Sequence, residues 1–217
     1  LFIMFDGIDA VIFDMDGTLI DSMGIWKKID CDFLAKRNIL MPDDIQKHIE
    51  GLSFTDTAIY FKQNFSLPDN IEDIKKEWLH MVKEYYENKI PLKDGALDII
   101  CKIKKSGRKI GLATSNYRDL VEAALTRTGI YQYFDSIVTS CEVSKDKSFP
   151  DIYLRTSEEL NVPPERCLVF EDTLSGITGA RKAKMRGIAV YDEYSLHAKE
   201  QLIKNADRYI KSFCEIA

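Results

Sequence analysis

The chain has 217 residues, 30 basic and 35 acidic side chains, a formal net charge of −5, and 45% hydrophobic residues. That length holds one large domain or two modest ones, and the balance of apolar and charged residues excludes wholesale disorder. A pI near 5.4 speaks against a constitutive nucleic-acid binder, and no apolar run approaches the ~20 residues of a bilayer-spanning helix.

In chain order, the apolar start Leu1-Phe2-Ile3-Met4-Phe5 lacks a basic leader and soon meets Asp6 and Asp9, so it does not read as a signal peptide. Met4 is a candidate natural start, with Leu1 to Ile3 foreign to the native chain. Short apolar runs then end in polar residues. Ala10–Phe13 runs into Asp14, residues 109–113 into Thr114-Ser115-Asn116, and Ser136–Thr139 into Ser140-Cys141. Residues 167–170 run into Glu171-Asp172, and 187–190 into Tyr191-Asp192. Such non-alternating runs suit strands buried on both faces of a parallel sheet.

Helical periods separate them. Asp94 is placed to cap a helix over 95–105, with Gly107 beyond its end. Further helices are expected over 118–128, closed by Gly129, over 150–160, and over 174–185. Residues 21–89 differ, being helical in pattern throughout. Their longest element, 69–87, carries Ile71, Ile74, Trp78, Met81, Val82 and Tyr85 as one apolar stripe, the mark of a helix-bundle core. The pattern therefore predicts an α/β fold: a doubly wound parallel-sheet core (1–20 and 90–217) with a helical lobe (21–89) inserted after the first strand.

Five cysteines, Cys31, Cys101, Cys141, Cys167 and Cys214, are odd in number and form no CxxC pair. Neither a disulfide framework nor a structural zinc site is expected. Each reads as a small buried hydrophobe, and a reducing cytoplasm suits the chain. His48, His80 and His197 lack metal-ligand spacing and read as surface or packing residues. The basic group Lys102, Lys104, Lys105, Arg108 and Lys109 reads as a solvated helix end rather than a nucleic-acid patch.

Ligands of an open parallel sheet bind beyond the carboxyl ends of its strands. Asp14 and Asp16, Thr114-Ser115-Asn116 and Glu171-Asp172 all fall there. Carboxylates so close need a cation or a proton between them, and all-oxygen donors favour a hard cation such as Mg²⁺. The hydroxyl and amide cluster, with a basic residue nearby, suits an anionic substrate. In Asp14-Met15-Asp16-Gly17-Thr18, two carboxylates one residue apart follow a buried strand, and Gly17 permits the tight turn that aims both at one point. An ordinary Asx turn is the plain alternative for that motif taken alone.

Phe13-Asp14-Met15-Asp16-Gly17-Thr18-Leu19 resembles the first motif of the haloacid dehalogenase-like (HAD) hydrolase superfamily. Leu112-Ala113-Thr114-Ser115-Asn116 resembles its second, and Lys147-Ser148-Phe149-Pro150-Asp151 its third. Val169-Phe170-Glu171-Asp172-Thr173, with Gly176 and Ala180 beyond, resembles its fourth. The match is closest to the phosphatase and β-phosphoglucomutase-like branch with a helical cap. It implies a Rossmann-like core, cap closure over the cleft, and a Mg²⁺-dependent phosphatase acting on a small phosphorylated metabolite, a sugar phosphate by default, as a monomer or weak dimer.

The resemblance makes Asp14 the nucleophile and Asp16 the general acid and then base. Asp14, the Asp16 backbone carbonyl and Asp172 would hold the metal, with Glu171 ligating it or orienting its shell. Ser115 would donate to phosphate, flanked by Thr114 and Asn116 as substrate-binding candidates, and Lys147 would stabilise developing charge. The register to Pro150-Asp151 favours Lys147 over Lys145. Asp146 stands where the family pattern has glycine, and Ser148 where it has proline.

A dehalogenase needs one aspartate and no metal, so Asp16 and Glu171-Asp172 favour phosphoryl chemistry. The resembling mutases carry a hinge histidine and a cap arginine, where this chain has Trp26 and Phe54. That favours a phosphatase over a phosphoglucomutase-like isomerase. Trp26, Phe54 and Tyr60 are candidates to line the cleft, with core packing the plainer reading for each. A phosphoacceptor signalling domain lacks a cap and carries its acceptor after a later strand. A non-catalytic binding protein would be expected to have lost a catalytic carboxylate, and this chain keeps them all.

Overall fold

The computed structural model describes residues 4–217, so Leu1–Ile3, read above as foreign to the native chain, lie outside the described residues. Strands β1 (Ala10–Phe13), β2 (Lys109–Thr114), β3 (Ser136–Thr139), β4 (Cys167–Glu171), β5 (Arg186–Val190) and β6 (Arg208–Ile210) form one sheet of order β3-β2-β1-β4-β5-β6. Every pairing is parallel. All four residues of β1 are buried because both faces of the sheet are covered. Val11 and Phe13 face one apolar layer with Leu112, Leu168 and Phe170, while Ala10 and Ile12 face the other with Ala113, Cys167 and Val169.

Helices α5 (Ala96–Lys105) and α6 (Arg118–Arg127) supply Ile99, Ile100, Leu120 and Val121 to the first layer. Helices α7 (Asp151–Leu160) and α8 (Leu174–Lys182) supply Ile152, Tyr153, Leu160 and Ala180 to the second. Helix α9 (Lys199–Asn205) covers the far edge through Leu202. None of the described helices is long and apolar enough to cross a membrane.

Between β1 and α5 lie the helices of the cap, α1 (Met23–Ala35), α2 (Ile45–Ile49), α3 (Phe54–Asn64) and α4 (Ile71–Asn88). Their core is aromatic: Phe61 meets Trp78 edge-on at 4.9 Å, with Phe33 and Phe54 against the same indole. Helix α4 starts at Asn70, whose side chain accepts from the Asp73 amide, and it buries Ile74, Trp78, Val82 and Tyr86. That ladder of four-residue steps turns Tyr86 inward and leaves Tyr85, the expected stripe member, half-buried. The two chain crossings between core and cap run side by side, with Asp21 N donating to Pro91 O at 3.0 Å and Lys93 N to Leu19 O at 2.8 Å.

Some local expectations give way. Asp94 does not cap α5; Gly95 takes that position at φ +79°, where a Cβ would lie 2.6 Å from the Cys214 amide nitrogen. Helix α8 ends at Lys182, short of the expected 185, because Lys184 turns left-handed at φ +62°. Strand β6 was not expected, since three residues offer no run to read. All five cysteines are free; Cys167 is buried, Cys31 and Cys101 are half-buried, and Cys141 and Cys214 are exposed rather than buried.

Candidate active site

The loop after β1 is shaped by its own backbone. Asp14 N prolongs the ladder to Phe170 O at 2.9 Å, and the Met15 carbonyl then accepts from the amides of Leu19 and Ile20. Gly17, at φ +81°, brings the turn so close to Asp172 that a Cβ would lie 2.5 Å from Oδ2. Thr18 Oγ1 donates to Asp172 Oδ1 at 3.0 Å, tying the first strand's loop to the fourth's.

Lys147 reaches the same point from the loop before α7. It is 3% exposed, and its Nζ donates to Asp14 Oδ1 at 2.6 Å and to Glu171 Oε1. Asp146 Oδ1 accepts from Ser148 N at 2.8 Å in an Asx turn, and Lys147 N donates to Gly51 O of the cap at 3.1 Å. The residues that depart from the family pattern here thus build a turn that points Lys147 inward. Lys145 is exposed, its ammonium over the Phe149 ring. Helix α8 presses on this loop so tightly that a Cβ at Gly179 would lie 2.0 Å from the Lys147 carbonyl oxygen.

Glu171 is fully buried, with Oε2 accepting from Thr173 N and Thr173 Oγ1 at 2.9 and 2.8 Å. At Gly176 a Cβ would sit 2.1 Å from the Glu171 carboxyl, so the start of α8 can approach only without one. Asp172 accepts from Ser195 Oγ at 3.1 Å as well as from Thr18. Asp14, Glu171 and Asp172 each offer an oxygen within 4.8 Å of the others.

Burial pushes the Asp14 carboxyl up to about 7 against the pull of Lys147, and the Glu171 charge adds to the rise. Burial, then Glu171 and Asp14, raise Asp172 well above the carboxylate range. Burial opposes the Lys147 charge, yet Asp14 and Glu171 together hold its ammonium well above the ordinary value. One ammonium cannot balance three buried carboxylates. The hard, all-oxygen donor set and its unbalanced charge fit a divalent cation such as Mg²⁺.

The Asp16 side chain lies outside that cluster. Its carboxylate accepts from Ser22 Oγ at 2.6 Å, from Asn116 Nδ2 at 2.8 Å and from the Tyr86 hydroxyl. Tyr86 OH in turn accepts from Trp26 Nε1 at 2.6 Å and Asn116 Nδ2 at 2.9 Å. Burial and the Asp16 charge raise the Tyr86 phenol well above its usual range, so it remains a donor. The Asn116 amide is thereby turned to Asp16 and Tyr86. Thr114 Oγ1 accepts from Asn116 N at 3.1 Å, and Ser115 Oγ lies 3.4 Å from both Gly51 O and Ser140 Oγ.

Asp14, Asp16, Thr114, Ser115, Asn116, Lys147 and Glu171 all line one cavity, while Asp172 lies behind it, 1% exposed. Trp26 and Phe54 line it from the cap. Tyr60 does not, and instead stacks on His48 at 5.9 Å. His197, read as a surface or packing residue, also lines it, with Nε2 3.5 Å from Glu50 Oε2. Sequence reasoning missed Ser22, Tyr86, Lys93 and Ser195. Lys93 Nζ bridges the Gly17 carbonyl to Asp192 Oδ2 at 2.7 Å, pinning the glycine turn from below. A visible signal existed for Tyr86 in the four-residue ladder of α4, and for Lys93 only its place at the return crossing.

Residues 11–190 match the family of haloacid dehalogenase-like hydrolases. The chain is 29% identical over 188 residues to hexitol phosphatase B of Escherichia coli (strain K12), covering 83% of this chain and 82% of that one. It is 29% identical over 219 residues to protein CbbY of Cereibacter sphaeroides, covering 96% and 94%. Among solved structures, CbbY from Rhodobacter sphaeroides in complex with phosphate superposes with a TM-score of 0.86 at 28% identity, covering 97% of this chain and 96% of that one. The parallel sheet and the inserted helical cap agree with that match, and the chain belongs to the haloacid dehalogenase-like hydrolases.

Proposed function

We propose that the chain is a Mg²⁺-dependent phosphatase that hydrolyses a small phosphorylated metabolite, a sugar phosphate or polyol phosphate, through an aspartyl-phosphate. The observation that carries the reading is Lys147 Nζ held between Asp14 and Glu171 at a buried rim with Asp172 alongside. Hexitol phosphatase B and the validoxylamine A 7'-phosphate phosphatase of Streptomyces hygroscopicus subsp. limoneus, 26% identical, support the substrate class by their names. The solved complex of a CbbY variant with xylulose-(1,5)bisphosphate, 28% identical, supports it likewise.

In this reading Asp14 Oδ attacks phosphorus, the ester P–O bond breaks, and Asp16 passes a proton to the leaving oxygen. Asp16 then takes a proton from water as that water attacks the aspartyl-phosphate, freeing orthophosphate and restoring Asp14. Lys147 and Ser115 hold the phosphoryl oxygens by charge and hydrogen bond. Asp14, Glu171, Asp172 and the Asp16 backbone carbonyl would hold Mg²⁺, which when bound neutralises charge on the transferring group. The cap wall excludes water from the first step.

The mutase reading loses ground to Trp26, whose indole N–H is engaged by Tyr86, and to Phe54, which carries no charge for a second phosphate. The test is phosphate release from hexose, pentose, polyol and nucleotide monoesters with Mg²⁺, with a hexose 1-phosphate also followed for isomerisation. Release that EDTA abolishes and Mg²⁺ restores is the expected result. Isomerisation without release would move the chain to the mutases, and activity indifferent to EDTA would sink the metal-assisted step.

A further inference from the structure

Asp172 follows directly on β4, and the sheet order puts β4 between β1 and β5. The loops after those two neighbours therefore flank it, and each supplies one buried hydroxyl. Thr18 Oγ1 donates to Asp172 Oδ1 at 3.0 Å from the β1 side, and Ser195 Oγ to Oδ2 at 3.1 Å from the β5 side. Both loops have left the sheet by then, since β1 ends at Phe13 and β5 at Val190. What ties them together is Lys93, which belongs to neither.

Lys93 arrives on the return crossing from the cap, its backbone amide donating to Leu19 O at 2.8 Å. Its ammonium has three N–H groups and three acceptors. One is the Gly17 carbonyl in the β1 loop; the others, in the β5 loop, are the Tyr191 carbonyl at 2.8 Å and Asp192 Oδ2 at 2.7 Å. Buried Asp192 passes the hold on. Its Oδ1 accepts from Tyr194 N at 2.9 Å and its carbonyl from Ser195 N at 3.3 Å, winding the short turn Glu193–Ala198 that sets Ser195 against Asp172. On the other side, the Gly17 carbonyl is held one residue before Thr18.

One ammonium thus fixes both loops whose hydroxyls fix the two oxygens of one carboxylate. Each carboxylate oxygen has two lone pairs, so a hydroxyl on each sets the plane of the group and leaves room for a cation. Neutralising Asp192 alone would not require the reach to the Gly17 carbonyl. We infer that Lys93 is a positioning residue for the metal site: by clamping the β1 and β5 loops together it presets the Asp172 carboxylate for a divalent cation. This rests on the phosphatase reading only in taking Asp172 to ligate the metal.

The test reads metal binding without any phosphate ester. Mn²⁺, which shares the preference of Mg²⁺ for oxygen donors, is titrated by electron paramagnetic resonance into the wild type, Lys93→Met, Ser195→Ala, the double variant and Asp172→Asn. Lys93→Met is expected to weaken Mn²⁺ binding by ~10–100-fold, as loss of the hydrogen bonds behind a ligand does. Ser195→Ala is expected to weaken it by a smaller factor, and the double variant no more than Lys93→Met, because the serine is then no longer held. Lys93→Arg, which keeps the charge, is expected to restore part of the loss.

Lys93→Met also breaks a buried ion pair and lowers urea stability. A merely structural role would show that loss with the Mn²⁺ affinity of the folded protein unchanged. If the variant does not fold, Ser195→Ala decides, since it removes one hydroxyl and no charge. Wild-type affinity in either single variant, or losses that add in full, would overturn the clamp and leave the phosphatase reading intact. An Asp172→Asn protein that binds Mn²⁺ as the wild type does would also overturn the clamp, and a wild type that binds none would overturn the clamp and the metal-assisted step together. Mn²⁺ binding that depends on Lys93, in a chain that releases no phosphate, would overturn the phosphatase reading and leave the clamp standing.

Discussion

The two walls of the cavity are built on opposite plans. On the sheet wall every charged group has a partner: Lys147 answers Asp14 and Glu171, Thr18 and Ser195 answer Asp172, and three donors answer Asp16. On the cap wall the aromatic packing is tight, but Asp30 and the Trp78 indole N–H have no hydrogen-bond partner among the described residues. A fully engaged set of side chains is pre-organised and moves little during a reaction, as charge stabilisation demands. A set with vacant hydrogen bonds costs stability. The contrast between an engaged wall and an unengaged one can be broken by substitutions on either.

The largest effect belongs to the sheet wall. Asp14→Asn should reduce phosphate release by at least ~10⁴-fold, as removal of a nucleophile does elsewhere. Lys147→Ala should lower kcat by ~10²–10³-fold by removing the ammonium that pairs with both Asp14 and Glu171. Steady-state phosphate release checks both. A Lys147 variant impaired only in KM would show that the lysine binds substrate without stabilising developing charge.

The cap wall should reveal itself in stability. The Asp30 carboxyl is pushed from 3.8 to about 8 by burial, so the folded protein favours its protonated form. The sign follows: the penalty is absent below about pH 4, grows as the unfolded chain ionises while the folded one does not, and levels off above about pH 8. Asp30→Asn should therefore gain on the wild type as pH rises, by up to ~4 kcal/mol between pH 5 and pH 8 at ~1.36 kcal/mol per unit. Urea titrations at the two pH values measure it. A difference that is flat with pH would mean that Asp30 is ionised and paired, and would erase the contrast between the walls.

The sheet wall was far more legible in the sequence than the cap wall, for a physical reason. Asp14 follows the apolar run Ala10–Phe13, Glu171 ends β4 after an apolar run, and Ser115 follows β2, apolar between Lys109 and Thr114, so strand period and sheet topology together place them at one edge. Lys147 was harder, because Lys145 is chemically equal and only the register to Pro150-Asp151 favours Lys147; the turn made by Asp146 and Ser148 is what carries it inward. In the cap, contacts depend on how helices cross, and a stripe on one helix does not say which residue reaches the neighbouring domain. Tyr85 and Tyr86 illustrate the point, since adjacent residues on α4 differ by about 100° and only the four-residue ladder chooses Tyr86. Asp30 carried a signal that went unread: an acid four residues after Trp26 and three before Phe33, within an otherwise apolar face.

Tyr86 is where the two walls meet, and it should give the smallest and most informative effect. Its hydroxyl is supplied by the cap yet donates to Asp16 of the core, and it accepts from Trp26 and Asn116. Tyr86→Phe keeps the ring edge-on to Trp26, whose centroid lies 6.0 Å away, so the cap should fold and melt much as before. What it deletes is the donation to the charged Asp16, worth ~1.5–3 kcal/mol when the partner is left unsatisfied, together with the oxygen that accepts from Trp26 Nε1 and Asn116 Nδ2. The Asp16 carboxylate retains Ser22 and Asn116, so part of that loss is recovered, and a fall of ~10-fold in kcat is expected, with KM nearly constant. Trp26→Phe removes only the donor behind Tyr86 and should cost less, while the double variant should cost little more than Tyr86→Phe alone, because both act through one chain of hydrogen bonds. If the two losses add in full, Trp26 reaches the reaction by another route, through the cavity it lines, and the cap would touch the chemistry at two places instead of one.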